Sequence, residues 1–134
     1  MGCNIVLPHE QLHNAYLDKW VNIKYFFVRK NLLIKYSYAF VVMPGGFGTL
    51  DEFFEVLTLE QTERIPRYPM ILFGRDYWQG LLRWMKGTVE KDRFISPADL
   101  ELCTITDDPA EAVAILIDYM RRVGPPEAIP RALS

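Results

Sequence analysis

The chain has 134 residues, half of them hydrophobic, and carries a formal net charge of −2 at pH 7. This length suits one domain with one sizeable core, and the apolar content excludes intrinsic disorder of the whole chain. The charge balance provides no general attraction for nucleic acid or for an anionic membrane, so neither is expected as a partner.

The two cysteines, Cys3 and Cys103, lie far apart in the sequence. They match neither a disulfide framework nor a zinc ribbon, and a reducing compartment is the simplest interpretation. No apolar run approaches the roughly 18 residues of a membrane span. The N-terminal residues also lack the basic region of a signal peptide. We therefore expect a cytoplasmic protein.

Strands and helices are predicted to alternate along the first third of the chain. Residues 3–7 form a short apolar run that stops before a proline, and residues 21–27 are β-branched and aromatic, so both are candidate strands. Apolar residues at helical spacing predict a helix over residues 27–36. Residues 39–43 are continuously apolar and precede a proline and glycines, which is typical of a strand buried on both faces of a parallel sheet.

The alternation continues beyond the glycines. A helix is predicted over residues 49–63, with an apolar stripe at the i, i+3, i+4 and i+7 positions, followed by a strand over residues 70–73. Asp76 is the predicted cap of a helix that reaches about residue 86, where Gly87 stops it. These segments favour an α/β fold with a parallel sheet covered on both faces.

The last predicted elements are a strand over residues 102–106 and a helix that ends near residue 120. Asp108, Pro109 and Glu111 supply a cap, a first-turn proline and a capping-box glutamate for this helix. The domain is therefore assigned to residues 1–122, and the proline-rich residues 123–134 are expected to form a disordered tail.

Candidate chemistry centres on the glycine loop Pro44-Gly45-Gly46-Phe47-Gly48. Glycines let the backbone approach a ligand closely, and the following helix start offers unpaired N–H groups and partial positive charge. The loop therefore predicts a phosphate site, although it is neither a Walker A loop nor a GxGxxG fingerprint. The alternative is a tight turn that needs glycines for its shape alone.

Glu52 has two interpretations that the residues alone leave open. Thr49 and Glu52 have the spacing of a capping box, in which the glutamate accepts a hydrogen bond from a backbone N–H group. In the second interpretation Glu52 faces a ligand, because it lies about 200° around the helix from the apolar Leu50 and one turn from the predicted phosphate.

Other polar and aromatic residues carry weaker signals. Arg29 and Lys30 form a basic pair, for which a solvated helix face is the simpler interpretation from this segment alone. His9 and His13 are i, i+4 neighbours without further ligands, so no metal site is expected. The tyrosines and tryptophans around residues 77–84 are interpreted as core or dimer contacts.

The Arg29-Lys30 pair, followed at a fixed interval by Pro44-Gly45-Gly46-Phe47-Gly48-Thr49-Leu50-Asp51-Glu52, resembles the paired signature of the LONELY GUY (LOG) family. That signature is an Arg-Lys pair on a helix and then PGGxGTxxE. The segments at residues 4–8, 25–28 and 57–62 also resemble its longer bacterial branch. The resemblance extends to about Met120.

The resemblance implies a function that the residues alone do not give. Members of the family hydrolyse the N-glycosidic bond of purine nucleoside 5′-monophosphates, such as AMP or cytokinin riboside monophosphates, to the free base and ribose 5-phosphate. It implies no cofactor, with Arg29 and Glu52 as the catalytic pair. The implied substrate-binding residues are Lys30, Gly45, Gly46, Gly48, Thr49 and Thr58.

The resemblance also implies a Rossmann-like three-layer sheet that is N-terminally incomplete here, because the family has a first strand and a glycine-rich loop before this point. Exposed apolar surface on such a shortened sheet predicts a homodimer or higher homo-oligomer. Two alternatives to the hydrolase remain open. One is a non-catalytic carrier of a nucleotide or phosphorylated cofactor, and the other is an inactive truncated homologue.

Overall fold

The computed structural model describes residues 2–6 and 14–124. Parallel strands alternate with helices along this part of the chain, which confirms the α/β class and the Rossmann-like parallel arrangement. The strands are β1 (Gly2–Ile5), β2 (Trp20–Ile23), β3 (Phe40–Val42), β4 (Met70–Phe73) and β5 (Cys103–Thr106). The helices are α1 (Phe26–Lys35), α2 (Phe47–Gln61), α3 (Arg75–Trp84), α4 (Pro97–Leu100) and α5 (Pro109–Val123), and a π-helical segment covers Met85–Glu90.

The chain divides into two compact units, Met1–Ser37 and Tyr38–Ser134. The first unit contains β1, β2 and α1, and its two strands pair in parallel with Ile5 opposite Ile23. These two isoleucines are buried. The second predicted strand is shorter than expected because Tyr25, in extended conformation, already caps α1. The assignment of residues 1–122 to one domain stays a prediction.

The second unit is built on a three-stranded parallel sheet in the order β3-β4-β5. Phe40 lies opposite Met70, which in turn lies opposite Cys103. Because the strands are parallel and in register, their carboxyl ends meet at one edge of the sheet. The segments that lead into α2, α3 and α5 start from that edge, which is where open α/β sheets bind ligands.

The core of the second unit lies around the central strand β4. Ile71 and Leu72 are fully buried, and Phe53 of α2 packs on Trp78 of α3 with ring centroids 5.6 Å apart. The indole Nε1–H group of Trp78 donates to the carbonyl of Phe73 at 3.1 Å, so the buried indole is satisfied. Burial of these aromatic rings couples α2 and α3 to the same strand.

Two details of the sheet differ from the sequence prediction. The prediction that residues 39–43 are buried on both faces is wrong, since Val41 is 44% exposed. The reason is that β3 is an outer strand of its sheet. Phe53 and Trp78 are buried inside the second unit and need no partner chain, whereas exposed aromatic side chains remain at Phe26, Phe27, Phe54 and Trp84.

The predicted ends of α3 are wrong at both sides. Gly74 is its N-cap, in a left-handed conformation (φ 102°, ψ 82°), so Asp76 lies inside the first turn. Gly87 does not stop the helix but lies within the π-helical segment that continues it. Met85, the first residue of this segment, is buried, and one glycine inside a helix costs only about 1 kcal/mol.

The start of α5 is capped as predicted, with one correction. Asp108 Oδ1 accepts a hydrogen bond from the Ala110 N–H group at 2.8 Å, and Pro109 is the first helical residue. The capping box is wrong, because the Asp108 N–H group donates to Thr106 Oγ1 at 3.0 Å and the Thr106 hydroxyl donates to Glu111 Oε2. The Thr106 hydroxyl thus lies between the Asp108 N–H group and the Glu111 carboxylate, which do not bond to each other directly. Most of the predicted tail, residues 125–134, lies outside the described residues.

Candidate functional site

The glycine loop leads directly into α2. The helix begins at Phe47, two residues earlier than predicted, after Gly46 as an extended N-cap. The N–H groups of Thr49 and Leu50 both donate to the Gly46 carbonyl, at 3.0 and 3.1 Å. Helix geometry leaves the N–H groups of Phe47 and Gly48 without an intrahelical acceptor, so they are available at the open end of α2. Such an end attracts anions.

The three glycines of the loop differ in whether the structure leaves room for a side chain at their positions. A Cβ atom on Gly45 would lie 2.1 Å from Thr49 Oγ1, so Gly45 is needed for the packing of the loop against the helix. A Cβ atom on Gly46 or Gly48 would meet nothing within 4 Å, and neither residue has a positive φ. Close packing against Thr49 therefore accounts for Gly45, whereas no contact accounts for Gly46 and Gly48, which leave open space at the helix start.

Glu52 is half-buried on α2 and is not part of a cap. The capping-box interpretation is wrong, since Gly46 is the N-cap and Thr49 is the third helical residue. Gly48 and Glu52 are four residues apart, so they share one face of the helix. Helical side chains lean towards the N-terminus, and Gly48 places no side chain between Glu52 and the start of α2.

The start of α3 contacts the glycine loop from the neighbouring strand connection. The Tyr77 hydroxyl donates a hydrogen bond to the Gly45 carbonyl. Gly74 lies so close to Pro44 that a Cβ atom on it would approach Pro44 Cγ to 3.2 Å. From the sequence, Tyr77 is predicted only as a core or dimer contact. The contact of Tyr77 with Gly45 depends on the strand order, which brings the ends of β3 and β4 side by side and has no signal in the sequence.

The remaining sequence-predicted residues lie elsewhere in the chain. Arg29 and Lys30 are half-buried on α1 of the first unit, where the Arg29 guanidinium lies 5.8 Å from the Phe26 ring centroid. Thr58 lies six residues beyond Glu52, about 9 Å along α2 and on a different face. Its hydroxyl donates to the Phe54 carbonyl at 2.7 Å. The structure therefore does not bring Thr58 to the glycine loop, and its role stays a prediction.

A second titratable group is buried in α2, away from the loop. Glu60 is 1% exposed, and its Oε1 accepts a hydrogen bond from the Tyr68 N–H group at 3.1 Å. Among the described residues no hydrogen-bond donor reaches its Oε2. Burial raises the pKa of Glu60, although the Tyr68 hydrogen bond and the charge of Arg67 act in the opposite direction. Burial and the nearby Glu60 charge raise the pKa of Cys103 to about 11.

Within residues 2–6 and 14–124, no group of three or more His, Cys, Asp or Glu side chains could hold a metal ion. His9 and His13 lie outside this part of the chain. Cys3 and Cys103 are both free and partly buried. None of the described helices is long and apolar enough to span a membrane.

Parallel strands whose glycine loop leads into a helix at the carboxyl edge define the Rossmann-like class of α/β proteins. A sequence model described as "Possible lysine decarboxylase" matches residues 1–116. The chain therefore belongs to this family, the LOG family.

The chain is similar to proteins from plants and from bacteria. Cytokinin riboside 5′-monophosphate phosphoribohydrolase LOG1 of Arabidopsis thaliana is 35% identical over 94 residues, covering 70% of this chain and 44% of LOG1. LOG3 of the same plant is 38% identical over 92 residues, which cover 68% of this chain and 42% of LOG3. The cytokinin riboside 5′-monophosphate phosphoribohydrolase of Mycobacterium tuberculosis is 26% identical over 108 residues, covering 81% of this chain and 57% of that protein. The chain thus spans about half the length of these relatives.

Proposed function

We propose that this chain hydrolyses the N-glycosidic bond of a purine nucleoside 5′-monophosphate, releasing the free base and ribose 5-phosphate. One observation carries the proposal: Gly46 and Gly48 leave open space at the start of α2, and Glu52 lies one turn further on the same face. The names of the relatives, all phosphoribohydrolases of a riboside 5′-monophosphate, support this reaction class.

The glycine loop is assigned to the 5′-phosphate. A phosphate oxygen accepts hydrogen bonds from the free N–H groups at the start of α2, and the helix dipole favours the negative charge. The Thr49 hydroxyl, which lies against Gly45, is a further donor at this position. Binding the phosphate positions the ribose, so interactions remote from the reacting carbon hold it for attack.

Glu52 is assigned to the reacting carbon. Cleavage of a ribosyl–base bond builds positive charge on the sugar, which a carboxylate stabilises. The same carboxylate takes a proton from the attacking water, whose oxygen bonds to the anomeric carbon while the base leaves with the bonding electron pair. Transfer of that proton to the departing base, directly or through water, completes the hydrolysis and restores the carboxylate. Its distance from the phosphate site, about one helical turn, separates the carboxylate from the phosphate charge.

Arg29 and Lys30 complete the proposal through the family signature. A guanidinium clamps phosphate or ribose oxygens with paired hydrogen bonds, and an ammonium adds positive charge for the phosphate. Thr58 is retained as a weaker substrate-binding candidate. We further propose that the active form is a homo-oligomer, since Phe26, Phe27 and other aromatic side chains are exposed.

The test is incubation of the chain with a panel of nucleoside 5′-monophosphates and their nucleosides, followed by chromatography of the products. We expect free base from AMP or a related purine nucleotide and far less from adenosine, because only the nucleotide engages the glycine loop. Equal rates on AMP and adenosine would remove the phosphate-anchoring argument. Binding of AMP without release of base would favour a carrier, and absence of both would indicate an inactive homologue.

A further inference from the structure

The start of α3 contacts two successive residues of the glycine loop, Pro44 and Gly45. The Tyr77 hydroxyl donates to the carbonyl of Gly45, and Gly74 packs against the ring of Pro44. The Tyr77 ring lies edge-on against the ring of its neighbour, the buried Trp78, with centroids 4.7 Å apart. A residue outside the loop therefore holds one of its carbonyl groups.

The start of α3 is in turn tied to the end of β5. The Gly74 N–H group donates to the Thr106 carbonyl at 3.0 Å, and the Arg75 N–H group donates to Asp107 Oδ1 at 2.6 Å. The Arg75 side chain lies 3.7 Å from the same carboxylate. The loop after β3 is thus connected, through α3, to the opposite outer strand of the sheet.

We propose that Tyr77 is a positioning residue that sets the orientation of the phosphate-binding backbone, an inference that rests on the proposed function. The peptide unit between Gly45 and Gly46 is planar, and its C=O and N–H groups point in opposite directions. A hydroxyl that holds the Gly45 carbonyl therefore fixes the direction of the N–H group of Gly46, the N-cap residue, which like those of Phe47 and Gly48 has no intrahelical acceptor. Without that hydrogen bond, a Gly-Gly peptide is the most freely rotating unit in a chain.

The position of Tyr77 separates this role from a purely structural one. Its side chain is exposed, so the hydroxyl contributes little to the core. Removal of the Tyr77 hydroxyl is expected to weaken phosphate binding equally in the substrate complex and in the transition state, because the loop binds the same phosphate in both. Such uniform binding changes KM and leaves kcat nearly constant.

The test compares Tyr77→Phe with Tyr16→Phe, a matched loss of a hydroxyl at a residue that is 95% exposed. For each variant, KM and kcat for AMP, the Kd of ribose 5-phosphate by calorimetry and the urea midpoint are measured. Tyr77→Phe is expected to raise KM and the ribose 5-phosphate Kd by about two- to tenfold, the range for one lost hydrogen bond. The kcat and the urea midpoint are expected to match those of Tyr16→Phe.

Unchanged affinity for ribose 5-phosphate in Tyr77→Phe would overturn the proposal, as would a fall in kcat at constant KM. If the unchanged chain releases no base from AMP, the proposed hydrolase function fails on its own. The ribose 5-phosphate arm then still decides the role of Tyr77, because weaker binding by Tyr77→Phe supports it and equal or absent binding by both chains refutes it.

Discussion

Replacement of Glu60 by glutamine is expected to change how the stability of the protein depends on pH. Glutamine keeps an oxygen that accepts from the Tyr68 N–H group but has no proton to lose. In the native chain, burial raises the pKa of Glu60 above its ordinary value of 4.5, so the folded state binds this proton more tightly than the unfolded state. The groups around it are Arg67, Cys103, Tyr68 and Tyr119.

The direction of the pH dependence follows from this tighter proton binding by the folded state. The free energy of unfolding of the native chain, minus that of the glutamine variant, is highest below about pH 4.5. This difference falls as the pH rises through the raised pKa of folded Glu60 and is constant above it. Glu60 Oε1 keeps its hydrogen bond in both states, whereas Oε2 has no partner among the described residues in either state. The loss of stability is therefore the cost of placing charge on a buried group without a partner, for which about 1–3 kcal/mol is the scale.

The assay is urea unfolding at fixed protein concentration between pH 4 and 8, and the quantity compared is the free energy of unfolding of the native chain minus that of Glu60→Gln. Its slope cannot exceed about 1.4 kcal/mol per pH unit for a single group. Glu101→Gln, which changes an exposed carboxylate, is the control and is expected to follow the native chain. Parallel curves for the native chain and Glu60→Gln would refute the reasoning.

Three further outcomes are expected from the site and the surface. Glu52→Gln is expected to lower turnover of AMP at least about a hundredfold. It is not expected to unfold the chain, because Glu52 does not cap α2, and full activity in this variant would exclude an acid–base role. Arg29→Ala is also expected to lose turnover. Gly46→Ala is expected to raise KM about tenfold or more and to leave the urea midpoint unchanged. Gly45→Ala is expected to lower the midpoint, because its methyl group meets Thr49 in the first turn of α2, and the reverse pattern would contradict the glycine assignments. Sedimentation at micromolar concentration is expected to show a dimer or larger assembly, and a stable monomer would remove the oligomer proposal.

Much of the fold is readable from the sequence because buried parallel strands produce uninterrupted apolar runs. Residues 70–73 were predicted as a strand with the bounds that the structure has, and the Asp108-Pro109 start of α5 was confirmed. Strand β3 was located correctly, but its exposure was not. Whether a strand is central or outer depends on the order of the strands, which apolar runs do not encode.

The errors at helix starts share one physical origin. Thr49 and Asp76 have side chains that suit an N-cap, yet in both helices a glycine outside the expected boundary takes that position. A glycine cap contributes no side-chain hydrogen bond, so local patterns favour the nearby threonine or aspartate. Tyr77 was missed for a different reason: its partner, the Gly45 carbonyl, is 32 residues away and is a backbone atom without a sequence signal.

The agreement between strand order and chain order in the second unit has a consequence for how the protein is made. Phe40 pairs with Met70, and Met70 with Cys103, so each pairing joins residues only about 30 positions apart. At about 5–20 residues per second, synthesis of the stretch between β4 and β5 takes roughly 2–7 seconds. Domains of mixed α/β type commonly fold faster than that. The pairing of β3 with β4, and with it the shape of the glycine loop, therefore has time to form after β4 has left the ribosome and before β5 follows it.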